Sequence, residues 1–342
     1  MPKRSFASDN NSGVDKKILK AIEKANQSDH IAYGDDPFTE RAIKKFKNIL
    51  GNNIDVYFVL TGTGANVIGL KNVVRSFNTI FCSDLAHINV DETGAVENNI
   101  GCNLQTVPTE DGKIYPEQLK KFMHVKGVQH HSQPKAISIS QTTELGTVYT
   151  PEEIKNLADF AHENDMYLHI DGARISNAAA SLNCNFKKIT RDAGVDILSF
   201  GGTKNGMLCG EAVIFFDKEL SKNCKYIRKE SLNLFSKMRY LSTQFIEFLS
   251  HDLWYKNAKN ANEMAQYLKK KLSEFDDIEI VQEVQANAIF AKIPKNKIKP
   301  LQKEHFFYIW DEEKGVVRWM CSFETTEENV DNFVKILKRH LN

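Results

Sequence analysis

Two short polar clusters, each at the end of an apolar run, concentrate the chemistry available to this chain: HIDGAR at 169–174 and SFGGTKNG at 199–206. The first supplies a carboxylate, Asp171, and a guanidinium, Arg174. The second supplies an amine, Lys204, among glycines that let a ligand approach the backbone. A carboxylate closing an apolar run must be paired, hydrogen-bonded or functional, because burying it alone is costly. A partly desolvated lysine loses some of its preference for the charged form and becomes nucleophilic. An acid that can keep a pyridine nitrogen protonated, followed by an amine that can form a Schiff base, is the pair that pyridoxal 5'-phosphate (PLP) chemistry needs. Taken singly, each residue also has a plainer reading: Asp171 as a helix N-cap or the ion-pair partner of Arg174, Lys204 as an exposed loop lysine.

Other motifs have the same double character. TGTGAN (61–66) lies between a strand-like run and a helix-like one, so the amides of Gly62 and Thr63 are placed to receive a phosphate at a helix start. The alternative is a tight turn with Thr61 or Thr63 as the cap. A dinucleotide fingerprint would need a third glycine where Val67 stands, which argues against a nicotinamide dehydrogenase. His87, in SDLAHIN, is placed to stack on an aromatic cofactor, to exchange a proton, or simply to pack. Arg318 is a cation inside the apolar run VVRWM, a suitable bidentate partner for a substrate carboxylate or for an internal acid. Arg239, in SKMRY, reads by itself as a surface residue.

The elements that must position these groups alternate. Helix-like stretches at 14–26, 39–50, 64–75, 115–126 and 151–164 are interleaved with strand-like runs at 54–60, 79–83, 102–108, 136–142, 167–171, 196–200 and 212–216. That order predicts an α/β fold with a mainly parallel sheet covered on both faces. Ligands on such sheets sit at the carboxyl ends of the strands, where TGTG, SDLAH, QTTE, DGAR and GGTK would converge. From about residue 252 a long helix-like segment and several short apolar runs predict a smaller α+β unit, so the chain divides into 1–251, with a polar N-terminal arm, and 252–342. At 342 residues two units are expected. The lysine-rich piece 294–300 reads as a solvated loop or a helix start.

Composition narrows the function classes. With 45 basic and 44 acidic residues the net charge is +1, which argues against nucleic acid or an anionic membrane as the main partner. The start carries no apolar run of a secretory signal, and no stretch is long and apolar enough to span a bilayer. The six cysteines form no CxxC pair, so no metal site is expected and reduced thiols in a cytoplasmic protein are the default.

Together the motifs resemble the low-specificity threonine aldolase / β-eliminating lyase family, fold-type I PLP enzymes of the aspartate aminotransferase-like superfamily. The resemblance runs in order along the chain: SDN (8–10), YGDDP (33–37), TGTGAN, LAH (85–87), TELGTVY (143–149), HIDGAR, GGTKNG, KMR (237–239) and VVR (316–318). It implies a large unit with a seven-stranded sheet and these roles. Lys204 carries PLP, Asp171 bonds the pyridine nitrogen, and His87 stacks on the ring. Gly62, Thr63 and Thr203 take the phosphate, with Arg239 reaching it from a neighbouring subunit of a homodimer or homotetramer. Ser8, Arg174 and Arg318 hold the substrate carboxylate, with Tyr33 near the site. The implied reaction is retro-aldol cleavage of L-3-hydroxy amino acids such as threonine. β-Elimination, racemisation and transamination on the same scaffold are the alternatives. One departure stands out: where many of these aldolases carry a histidine near the substrate hydroxyl, this chain has Glu144, an anion able either to take that proton or to select another substrate.

Overall fold

The computed structural model describes residues 5–341; the first four residues of the arm lie outside them. The first three helices are α1 (Lys16–Ala25), α2 (Pro37–Leu50) and α3 (Gly62–Val73). Their ends follow local chemistry. Asp36 accepts hydrogen bonds from the Phe38 and Thr39 N–H groups, Pro37 opens α2, and Gly51 closes it at φ 104°. The helix Pro151–Glu163 starts with a reciprocal capping box between Thr150 and Glu153.

Seven strands form the large sheet: β1 (Asp55–Val59), β2 (Asn78–Ser83), β3 (Asn103–Val107), β4 (Gln133–Ser140), β5 (Tyr167–Gly172), β6 (Ile197–Gly201) and β7 (Glu211–Phe215). Their order is β1-β7-β6-β5-β4-β2-β3, and only β7 runs antiparallel to its neighbours. This is the mainly parallel, helix-covered sheet that the alternating pattern predicts, with the seven strands that the resemblance implies. β2, β6 and β7 are buried along their whole length because helices cover both faces, which is why their centres read as apolar without a polar residue at every second position. α3 crosses β5, β6 and β7 and is itself buried on nearly every side.

A second sheet, order β10-β11-β9-β8, is antiparallel: β8 (Glu279–Ile280), β9 (Ala288–Lys292), β10 (Tyr308–Asp311) and β11 (Val316–Met320). The helices Leu253–Leu272 and Glu327–Leu341 cover it around Trp319 and Phe333. Two local expectations need correction. The 115–126 stretch is a short helix, Pro116–Lys120, followed by a separate turn of 3-10 helix at Met123–Val125. The arm, polar by composition, is not simply solvated. Phe6 is fully buried in the small-sheet core, where burial is worth about 1.5–3 kcal/mol, and its carbonyl accepts the Met320 N–H at 2.8 Å. The arm thereby ties the small sheet to the large one. The lysine-rich piece starts the helix Lys295–Glu304.

Candidate active site

The carboxyl ends of β4, β5 and β6 do converge with the arm and β11, around a cavity of ≈ 560 Å³. Ser8, His87, Glu144, Arg174, Lys204 and Arg318 all line it, along with Asn10, Leu85, Tyr308 and Trp310. Six of the residues expected from sequence are therefore brought together.

Asp171 ends β5 at 8 % exposure. Its Oδ1 accepts the Ala173 N–H at 2.9 Å and its Oδ2 accepts the Asn66 amide at 2.8 Å. Burial pushes this carboxyl up, but the Lys204 charge, the two hydrogen bonds and His87 outweigh it and hold the pKa below the ordinary value. It is a fixed anion. Lys204 follows β6 in a single turn of 3-10 helix. Burial and the charge of Arg174 hold its amine below the ordinary lysine pKa, against the opposing pull of Asp9, Asp171 and Glu211. The turn sits tightly on the DGAR loop: a Cβ on Gly201 would stand 2.6 Å from Ala173 backbone atoms.

His87 starts a short helix after β2. Its Nδ1–H donates to Glu92 Oε1 at 2.8 Å, and Glu92 is wholly buried. The same oxygen accepts from Asn66 at 2.9 Å, so His87, Glu92, Asn66 and Asp171 form one chain of hydrogen bonds. The Glu92 bond raises the His87 pKa, against burial and with help from Asp171.

Glu144 replaces no bond of this chain. Its Oε1 accepts the His87 N–H at 2.9 Å and the Ser140 hydroxyl at 2.5 Å, while Oε2 is buried with no hydrogen-bond partner among the described residues. Burial raises its pKa beyond what those donors offset. Arg174 gives Nε and Nη2 to Asp9 at 2.7 and 2.8 Å, which leaves only the outer part of its fork for a ligand. Arg318 reaches in from β11 between Tyr308 and Trp310, its guanidinium 5.6 and 5.8 Å from their ring centres. One Nη meets the Ala7 carbonyl at 3.3 Å and its Nε is buried without a partner among the described residues.

At the start of α3 the structure decides between the two caps that the sequence left open. Thr61 caps α3 by accepting the Gly64 N–H, so Thr61 is the cap. The Gly62 and Thr63 N–H groups have no partner among the described residues. A Cβ on Gly62 would meet nothing within 4 Å, whereas one on Gly64 would strike Asn233 at 2.6 Å. An open cradle of free N–H groups at a helix start is suited to a phosphate. Thr203, next to Lys204, has a buried hydroxyl.

Two expected residues lie elsewhere. Arg239 donates to the Ala25 carbonyl at the end of α1 and to Tyr240. Tyr33 is 50 % exposed, beneath Lys229, at φ 64°. Neither lines the cavity. Four residues that the sequence reading passed over take part: Asp9, Asn66, Glu92 and Glu211. Asp9 and Asn66 sit inside motifs already quoted, SDN and TGTGAN, and Glu92 lies five residues after His87; polar residues beside a motif were the available signal.

Comparisons with known proteins point to one family. The family model described as beta-eliminating lyase matches residues 5–295. A low-specificity L-threonine aldolase of Pseudomonas sp. (strain NCIMB 10558) is 37 % identical over 96 % of this chain and 95 % of its own length. One from Pseudomonas aeruginosa is 36 % identical over 98 % and 97 %. Among solved structures, a threonine aldolase from Leishmania major superposes with a TM-score of 0.93 at 29 % identity, covering 99 % of both chains.

Proposed function

Because this chain belongs to the beta-eliminating lyase family, we propose that it is a PLP-dependent lyase that cleaves the Cα–Cβ bond of L-3-hydroxy amino acids, taking L-threonine or L-allo-threonine to glycine and acetaldehyde. The observation that carries this reading is the meeting of Lys204, Arg174, Arg318 and Glu144 around one cavity, with Asp171 fixed as an anion at the end of β5.

Lys204 Nζ, kept nucleophilic by burial, would hold the cofactor covalently. Asp171 would hold the proton of the ring nitrogen, His87 would face the ring, and the Gly62 and Thr63 N–H groups with the Thr203 hydroxyl would receive the phosphate. Bound PLP supplies an electron-poor ring that draws off the electron pair left at the substrate Cα. Ser8, the free part of Arg174 and Arg318 would grip the substrate carboxylate, which fixes the orientation of the Cα–Cβ bond. Glu144 Oε2 takes the β-hydroxyl proton as the aldehyde departs, and a proton returned to Cα completes glycine. β-Elimination, racemisation and transamination need no acceptor for that hydroxyl proton, so the unpaired buried oxygen of Glu144 favours the aldol cleavage.

The same reading divides the chain near residue 251. It also makes the enzyme a homo-oligomer, dimer or tetramer, in which a second copy brings Arg239 to the phosphate and Tyr33 to the cavity rim. Six unbonded cysteines, four of them buried, fit a cytoplasmic protein.

The test is an absorbance spectrum of the purified protein with PLP, before and after L-threonine or L-allo-threonine, with glycine and acetaldehyde assayed. A Schiff-base band and both products are expected. Ammonia and a keto acid instead would overturn the aldol assignment. No band after PLP is supplied, or an undiminished band and turnover in Lys204→Ala, would overturn the cofactor reading.

A further inference from the structure

Behind the Lys204 turn lies a buried carboxyl that this reaction does not use. Glu211 opens β7 and stands level with Gly201 of β6 on one side and Val59 of β1 on the other. β6 leads into the Lys204 turn, and β1 leads through Thr61 into α3. Val59 packs in the core beneath α3, so Glu211, in register with it, faces that side of the sheet too. Glu211 is 8 % exposed, and its Oε2 accepts the Gly202 N–H at 3.0 Å. The Thr203 hydroxyl lies against the same carboxyl, close enough to lower its pKa but buried without a well-aligned hydrogen bond. One acid therefore touches both residues that precede Lys204, on the face of the sheet that carries the Gly62–Thr63 cradle.

Resting on the cofactor reading above, we propose that Glu211 is a proton-dependent positioning residue for the phosphate end of the site. In its neutral form it donates to Thr203 Oγ1 and leaves the Thr203 proton for a phosphate. In its ionised form it draws that proton to itself and sets a negative charge behind the phosphate.

A threonine hydroxyl has a single proton, so it serves a carboxylate or a phosphate but not both. A neutral carboxyl brings a proton of its own, which removes the competition. Two anions sharing a poorly solvated site repel strongly, so phosphate binding and ionisation of Glu211 oppose each other. The charged and titratable groups facing Glu211 are Lys204 on its own turn, Asp171 on β5 and Cys209 at the approach to β7. Burial is the largest influence and raises the carboxyl. Thr203, the Gly202 N–H and Lys204 lower it in part, Asp171 raises it again, and it titrates at about 7. Phosphate capture should then take up a proton above neutral pH.

Pyridoxine 5'-phosphate and pyridoxine test this, since neither has the aldehyde that Lys204 would capture. The ratio of their affinities isolates the phosphate contribution and is read by calorimetry from about pH 6 to about pH 8.5. In the wild type the ratio should fall, by up to about tenfold per pH unit above neutrality, with proton uptake on binding of the phosphate compound. The phosphate's own second ionisation, near pH 6, acts in the opposite direction. In Glu211→Gln, whose amide stands in for the neutral carboxyl, the fall and the proton uptake should both vanish. Glu211→Ala, which loses the Gly202 anchor along with the charge, should give a ratio that is flat with pH and lower than that of Glu211→Gln. A fall that persists unchanged in Glu211→Gln, or a wild-type ratio that is flat or rises with pH, would overturn the proposal while leaving the cofactor reading intact. Failure of both compounds and of PLP to bind would overturn the two together.

Discussion

The two halves of the cavity are built on opposite plans. On the large-sheet side the polar groups are joined: His87 to Glu92, Glu92 to Asn66, Asn66 to Asp171, all at 2.8–2.9 Å. On the small-sheet side Arg318 has one long bond to the Ala7 carbonyl and a buried Nε with no partner among the described residues. A buried donor left unsatisfied costs about 1–3 kcal/mol, more when it is charged. Burial and the neighbouring Arg174 charge accordingly push the Arg318 pKa down. The contrast teaches a division of labour. The chain of bonds that would hold the ring is formed before anything binds, although Asn66 Oδ1, Glu92 Oε2, Glu144 Oε2 and Thr203 Oγ1 around it are buried with no hydrogen-bond partner among the described residues. The half that would hold substrate keeps a debt that an incoming carboxylate discharges.

The largest effect should come from breaking the settled half at its anion. Asp171→Asn keeps the shape, and its amide oxygen can still accept one of the two bonds, but the charge is gone. The ring nitrogen of a bound cofactor would then lose the group proposed to keep it protonated. A fall in kcat on the order of 10²–10³-fold is expected, by analogy with removal of one preorganised electrostatic partner. Near-normal kcat with a normal spectrum would mean that the network is scaffolding and that the two halves do not differ in the way described.

Arg318 probes the other half. Arg318→Ala should raise KM for the amino acid by about 10- to 100-fold, the worth of a hydrogen bond to a charged group, while the protein retains PLP as well as the wild type. Arg318→Lys should recover little, because an ammonium lacks the planar fork and the stacking between Tyr308 and Trp310. Loss of PLP in place of a higher KM would place Arg318 in the cofactor half and dissolve the comparison.

The same contrast explains what could be read from the sequence. The large sheet was legible because strands covered on both faces leave runs with apolar centres and because polar residues at their carboxyl ends stand out against them. Lys204, Asp171 and His87 were visible for that reason, and Arg318 because it is a cation inside the apolar run of β11. The antiparallel sense of β7 was not, since the run AVIFF has the same composition in either direction. Helices such as Ile175–Ser181 and Arg239–Phe248 were missed because most of their residues are buried, which erases the amphipathic period. The burial of Phe6 depends on contacts more than 300 residues away in sequence. Glu92 and Asn66 were passed over for a related reason. Each acts through another polar residue, and no spacing rule links positions 66, 92 and 171.

Glu92 therefore gives the finest test of the settled half. Its hydrogen bond is the main cause of the raised His87 pKa, with Asp171 adding to it against burial. A base whose folded pKa lies above its ordinary 6.5 stabilises the fold fully below that value, and the contribution is lost as pH rises through the folded pKa. Glu92→Gln keeps an oxygen for His87 and removes the charge, so the His87 pKa should move down. The His87 side chain is 40 % exposed, so solvent screens the interaction and the effect should be small. The deficit in Tm of Glu92→Gln relative to wild type should be larger at about pH 5.5 than at about pH 8.5, with the His87 ring resonances titrating at lower pH. Part of the deficit, from the Asn66 bond, should persist at both pH values, since that amide has no proton to lose in this range. A deficit independent of pH, with His87 titrating unchanged, would show that Glu92 merely fills space beneath the ring, and that the order of the large-sheet half comes from packing alone.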